Sequence, residues 1–172
     1  EDGYNIIQLP QHAFYDVLPG AVLEVDQSME ITLTVDMTAA AEVGFDSGDI
    51  VFLRTDDKWL NYLQGYSTGD GVNHYGATLN EDGTYSYTLS LVGPLPWAIS
   101  YKWGFTDSET NADIEEAGGG LGSLARIRYF HRNANDDCNW PASYSFPLDA
   151  PFAVSDESEA YKEPWDPESI CI

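Results

Sequence analysis

The chain has 172 residues, of which 43% are hydrophobic, and it carries 29 Asp and Glu against 7 Lys and Arg, a formal net charge of −22. That length suits one domain, and that apolar fraction can fill a core, which argues against global disorder. The charge excludes nucleic acid and anionic membrane surfaces as partners, because affinity for phosphate needs clustered cations, and no apolar run approaches the roughly 20 residues of a membrane helix.

Residues 1–28 are ambiguous: Ile6, Ile7 and Leu9 can add an edge strand, and Pro10 and Pro19 break anything longer. The opening Glu1-Asp2-Gly3 is not a secretion signal, so such a segment is expected to have been removed or to lie outside this sequence. Met29–Met37 alternates strictly, with Ile31, Leu33, Val35 and Met37 on one side and Thr32, Thr34 and Asp36 on the other. Thr38–Val43 can form one helical turn. Asp49–Thr55 reads as a central strand, being mostly apolar. Asn80–Gly83 is a turn, and it leads into Thr84–Leu91, which places Tyr85, Tyr87, Leu89 and Leu91 on one face.

Gly93–Pro96 is another turn, followed by alternation over Ala98–Phe105 with Lys102 on the face opposite Ile99, Tyr101, Trp103 and Phe105. Asp113–Ala117 can form a second helical turn, while Ala125–His131 and Ser143–Phe146 read as short strands. Residues 147–172 hold four prolines and many carboxylates, and read as an extended tail wrapped on the body. Short strands separated by Gly, Pro, Asn and Asp turns predict one all-β domain, an antiparallel sandwich, over 1–172.

The acidity has two readings: a solubility adaptation of a secreted protein, or a charge set that includes a structural Ca²⁺ site. Asp107, Glu109, Asn111, Asp113 and Glu115 alternate around one loop, and Asp107 and Asp113 are the named candidate ligands. No other cofactor is expected. There are two cysteines, Cys138 and Cys171. As a disulfide they would staple the tail and place the protein in an oxidising, extracellular compartment; the alternative is two free buried thiols in the cytosol. Arg126, Arg128 and Arg132 are expected to pair with neighbouring carboxylates.

Aromatic residues make up 13% of the chain. Rings stack on the C–H faces of sugars, and Asn, Gln, Asp and Arg bond sugar hydroxyls. Asp56–Tyr62 carries that mixture through Trp59 and Tyr62, with Gln64, Tyr66, Asn73, His74 and Tyr75 following. The competing reading makes Trp59 and Tyr62 a small core beneath a loop. Trp97, between a turn and a strand, and Trp140, beside the Cys138 segment, are further ligand candidates; Trp103 alternates with core residues, and Trp165 reads as a tether for the tail. No HExxH, G-x-S-x-G or Cys–His pattern is present, so a non-catalytic protein is expected.

The order of ITLTVDM, the GDIVFL strand before Trp59, the GTYSYTLSL strand, ISYKW, the Glu115–Glu116 pair, the strand with Arg126 and Arg128, and the final Cys resembles the immunoglobulin-like starch-binding modules of amylase-type enzymes. It is similar also to their relatives in secreted Bacteroidetes proteins. The resemblance covers about residues 29–131 and the last few. It implies an immunoglobulin-like sandwich, and it assigns Lys102 to sugar hydroxyls and Trp59 to a structural or second-site Trp. The family's Trp–Glu pair is Ile114–Glu115 here, and its first platform Trp falls near Thr84.

The leading expectation is therefore a secreted or cell-surface carbohydrate-binding module that takes a neutral polysaccharide or oligosaccharide, attached to other domains of a larger surface protein. The alternative is a structural module of an extracellular assembly or filament that binds protein neighbours.

Overall fold

The computed structural model describes residues 27–66, 71–95, 98–118, 125–130 and 142–161; of Trp59 it describes the backbone only. These residues form nine strands in two sheets, with few helical turns. One sheet has the order β4-β5-β1-β9, from Thr78–Leu79, Tyr85–Val92, Ser28–Val35 and Ser143–Ser145. The other runs β3-β2-β6-β7, from Val72–Tyr75, Ile50–Thr55, Ala98–Thr106 and Asp113–Glu115. Strand β8, Arg126–Tyr129, also pairs with β6, so β7 and β8 share one edge of that strand.

The alternation in the sequence becomes the inner layer. Ile31, Leu33 and Val35 from β1 meet Leu89 and Leu91 from β5 on one side, and Val51, Leu53, Tyr101, Trp103 and Phe105 on the other, all in one core. Burying a large aliphatic side chain stabilises by about 1.5–3 kcal/mol, so this alternation selects the fold. Thr38–Val43 is a turn of 3-10 helix, closed by Gly44 in the left-handed region.

Three local expectations are corrected. Asp113–Glu115 is strand β7 rather than a helical turn, because Phe105 and Thr106 of β6 offer Ile114 and Asp113 an antiparallel partner. Residues Lys58–Leu63 form a short helix, α1, where the sequence reads as a loop. Asp57 caps it, its Oδ1 accepting the Leu60 N–H at 3.0 Å, and Leu60 enters the core. Residues Val72–Tyr75, which the sequence reading assigns to no element, form β3 against β2.

Residues 142–152 lie along β1. Ala142 O accepts from Glu30 N; Phe146, Asp149 and Phe152 then donate N–H bonds to Thr32, Thr34 and Asp36 carbonyls at 2.8–3.0 Å. Two buried ion pairs hold this strap. Asp149 takes Arg128, the Tyr101 hydroxyl and the Trp103 indole N–H. Glu116 takes Arg126, the Trp103 N–H and the Ala153 N–H, while Arg126 also donates to Pro151 O. Every charge is satisfied, which is the condition for burying one. The expected pairing of arginines with carboxylates is seen at Arg126 and Arg128; Arg132 lies outside the described residues, as do Ile6, Ile7, Leu9, Trp165 and the Cys138–Cys171 staple.

The outer faces differ. On the four-stranded sheet the outward positions alternate with the core residues: Thr32 and Thr34 on β1 stand opposite Thr88 and Ser86 on β5. Ser90 follows on β5, and β9 adds Ser143 and Ser145 beside Glu30 and Thr32. On the five-stranded sheet, Phe52 faces outward yet is fully buried. Its ring lies over Gly104, where an added Cβ would fall 2.3 Å from Phe52 Cζ.

Candidate functional site

The candidate residues divide between two places. The first is the outer face of the five-stranded sheet. Arg54 on β2 bonds Asp56 at 2.9 Å and Asn73 at 3.0 Å, and it reaches Glu115 on β7 at 3.3 Å. Asp113 on β7 accepts from Thr106 at 2.6 Å, from Tyr75 at 2.7 Å and from Asn73 at 3.0 Å. Strands β3 and β7 are three spacings apart, roughly 14 Å in a flat sheet, beyond the reach of an Asn and an Asp side chain. The bond between Asn73 and Asp113 therefore requires a strongly coiled sheet whose opposite edges meet across its outer face.

That closure explains the burial of Phe52, while Lys102 is covered from the segment after β7. Phe52 is sealed with Tyr75 edge-on against it at 5.3 Å. Lys102, expected on an outer face with its ammonium on a ligand hydroxyl or a carboxylate, is 3% exposed, and its Nζ donates to Gly118 O at 3.2 Å. This corrects the expectation: the outward face of β6 is roofed, so Lys102 bonds a backbone carbonyl. Asp113 lies below the usual carboxylate range; desolvation pushes it up, but hydrogen bonds from Thr106, Tyr75 and Asn73 and the Arg54 charge outweigh that. The two candidate calcium ligands are occupied in different ways. Asp113 serves this network, and Asp107 accepts the Glu109 and Thr110 N–H groups at 2.8 and 2.9 Å in its own turn. Among the described residues, no group of three or more His, Cys, Asp or Glu could hold a metal ion.

The second place is α1. Tyr62 is 60% exposed, while Leu60 and Asn61 of the same turn are buried. Position 59 precedes Tyr62 by three residues, so the two backbone positions adjoin along the helix. The turn is fixed from below. Asn61 Nδ2 donates to Thr55 O at 2.9 Å, and the Thr55 hydroxyl donates to Asn61 Oδ1 at 2.6 Å. His74 Nε2 lies 3.1 Å from that hydroxyl, whose proton Asn61 has taken, so His74 donates through Nε2. The His74 ring sits between Tyr66 at 4.9 Å and Tyr87 at 5.8 Å, and burial lowers its pKa.

The end of the turn is clamped to β5. Gln64 donates to Val92 O and accepts from Val92 N, both at 2.8 Å, and the Tyr66 hydroxyl donates to Ser90 O at 3.4 Å. Strand β4 pairs with only two residues of β5, and these side chains occupy the edge farther along, at Ser90 and Val92.

The sequence-predicted set is thus only partly assembled. Tyr62 stands on an exposed, anchored turn; Lys102 is buried across the other sheet; Trp97 and Trp140 lie outside the described residues. The hydroxyl face of the four-stranded sheet was missed as a unit, although the alternating Thr and Ser of ITLT and TYSYTLS are its signal. No protein-family model matches the chain, no curated protein is detectably similar to it, and no solved structure matches it.

Proposed function

We propose that the protein is a non-catalytic carbohydrate-binding domain of immunoglobulin-like topology, acting outside the cell on a neutral glycan, with α1 as its aromatic contact. The observation that carries this reading is Tyr62: a large ring left in water on a turn whose Asn61 and Gln64 side chains are tied to β2 and β5. A ring held in place before the ligand arrives loses little freedom on stacking, and rigid aromatic anchors are what binding surfaces use. The order β4-β5-β1 facing β3-β2-β6 supports the immunoglobulin-like reading, with the strap beside β1. The non-catalytic reading is supported by Glu116 and Asp149, the buried carboxylates among the described residues, which are each engaged by an arginine and several further donors and so serve the fold.

Screening the protein on a glycan array, then titrating the best ligand against Tyr62→Ala, tests the reading. Loss of at least tenfold in affinity with unchanged thermal unfolding is expected, the scale of one aromatic contact. Equal affinity in the variant would remove α1 as the site.

A further inference from the structure

We propose that the outward face of the β4-β5-β1-β9 sheet is a track for an extended, uncharged polysaccharide chain that continues from the Tyr62 turn. This rests on the carbohydrate reading above and names the polymer, rather than a short sugar, as its ligand class.

The first support is chemical. On β1 and β5 the outward positions run Ser28, Thr32 and Thr34 against Ser86, Thr88 and Ser90, with Glu30 the sole charge and Val92 the sole apolar residue among them. Ser145 extends the array onto β9 beside Thr32. In a chain with 29 carboxylates, an ordinary solvated face would carry more charge and more long side chains. A hydroxyl both donates and accepts, as a sugar hydroxyl does, so such a surface can pair with sugar hydroxyls in either sense. Glu30 is the one carboxylate within these strands, Asp36 just beyond β1 is engaged by the Thr38 N–H and hydroxyl, and no cation among the described residues of this sheet faces out, which favours an uncharged partner.

The second support is order. Thr32 and Thr88 share a hydrogen bond at 2.8 Å, and Thr34 and Ser86 share one at 3.0 Å. Asn80 Nδ2 donates to Ser86 at 2.7 Å. These bonds fix hydroxyl orientations in advance, while Ser90, Thr88 and Ser145 remain exposed.

The third is position and length. Gln64 and Tyr66 bind α1 to Val92 and Ser90, so the turn that carries Tyr62 adjoins the strand that carries Thr88 and Ser90. Eight strand residues extend about 24–27 Å, longer than a short sugar. Each hydroxyl contact is weak, so useful affinity requires many at once, which a polymer supplies and a short sugar does not. The sheet also twists, which a single flexible chain can follow and a flat crystalline surface cannot.

The test is native gel electrophoresis of the whole chain through soluble starch, xyloglucan, galactomannan and hydroxyethyl cellulose, where the charge of −22 gives fast migration and any retardation reads binding. A trisaccharide of the retarding polymer is titrated alongside. The double variant Thr32→Val, Thr88→Val keeps shape and strand preference while removing two hydroxyls. It is expected to bind the polymer about tenfold more weakly while keeping wild-type affinity for the trisaccharide. Ser145→Glu, on the neighbouring strand, is expected to weaken polymer binding alone in the same way and serves if the double variant does not fold. Polymer affinity unchanged in either folded variant overturns the track, even where Tyr62→Ala abolishes both ligands. A wild-type chain that none of the four polymers retards overturns the track and the carbohydrate reading together.

Discussion

The two sheets of this sandwich share one core and use their outer faces in opposite ways. The five-stranded sheet coils until its edge strands meet: Asn73 and Tyr75 on β3 bond Asp113 on β7, Phe52 is sealed beneath Tyr75, and Lys102 is buried against Gly118. The four-stranded sheet leaves the hydroxyls of Thr88, Ser90 and Ser145 in water. A residue on the outer face of a sheet is therefore not by that fact accessible. Lys102 and Thr88 both alternate away from the core, yet one is buried and the other exposed. Contacts from distant segments, Gly118 on Lys102 and the bonds between strands three spacings apart on that face, decide between them, and alternation in a sequence does not encode either.

The closed half should be the easier to break. Glu116 fills the junction between β7 and β8, where it takes the Trp103 N–H, Arg126 and the strap. Glu116→Ala leaves Arg126 buried without its partner and should cost about 3–5 kcal/mol in urea unfolding. A loss below about 1 kcal/mol would show that the strap is held without the pair.

Gly104→Ala comes next. Its Cβ would meet the Phe52 ring at 2.3 Å and Ile114 O at 2.9 Å, so the ring must leave its seat. Overpacking of this kind costs about 1–3 kcal/mol. Phe52→Leu in the same background should recover part of that loss if the clash is the cause. A Gly104→Ala protein as stable as the wild type would contradict the sealed face.

A smaller effect separates α1 from the rest by pH. His74 is held neutral by burial, below its ordinary pKa, while the unfolded chain titrates near 6.5. The unfolded state therefore gains a proton first as pH falls. This contribution to stability is complete above about pH 6.5 and is lost as pH drops from there through the folded value. His74→Gln should flatten that part of the stability profile; a profile with the same slope in both proteins would exclude His74 as its source.

The smallest change is expected on the open face. Thr32→Val with Thr88→Val alters one half-buried and one exposed outward position with a good strand former and should shift stability by no more than about 0.5 kcal/mol. A large loss would mean that the hydroxyl ladder serves the fold.

The core and most strand positions were legible because alternation has period two: Ile31, Leu33 and Val35, and Ile99, Tyr101, Trp103 and Phe105, fell on the side they occupy. The arginine pairings were legible from the scarcity of cations. Helix α1 was not, since six residues are too few for a helical period to show, although Asp57 three places before Leu60 is a capping signal. Strand β3 was hidden because Asn73 and Tyr75 face a polar network, which erases the alternation that marks a half-buried strand. The burial of Lys102 comes with its bond to Gly118 O, and the closure of the sheet with bonds between residues 73 and 113, neither of which a local pattern announces.

The difference between the two outer faces is tested most directly by hydroxyl-radical footprinting with and without the best-bound neutral polysaccharide. Protection is predicted at Tyr62 and along Tyr85–Val92, with Ile50 and Tyr75 on the closed face as reactive as in the free protein. Protection at Ile50 and Tyr75, with Tyr62 unchanged, would contradict the account.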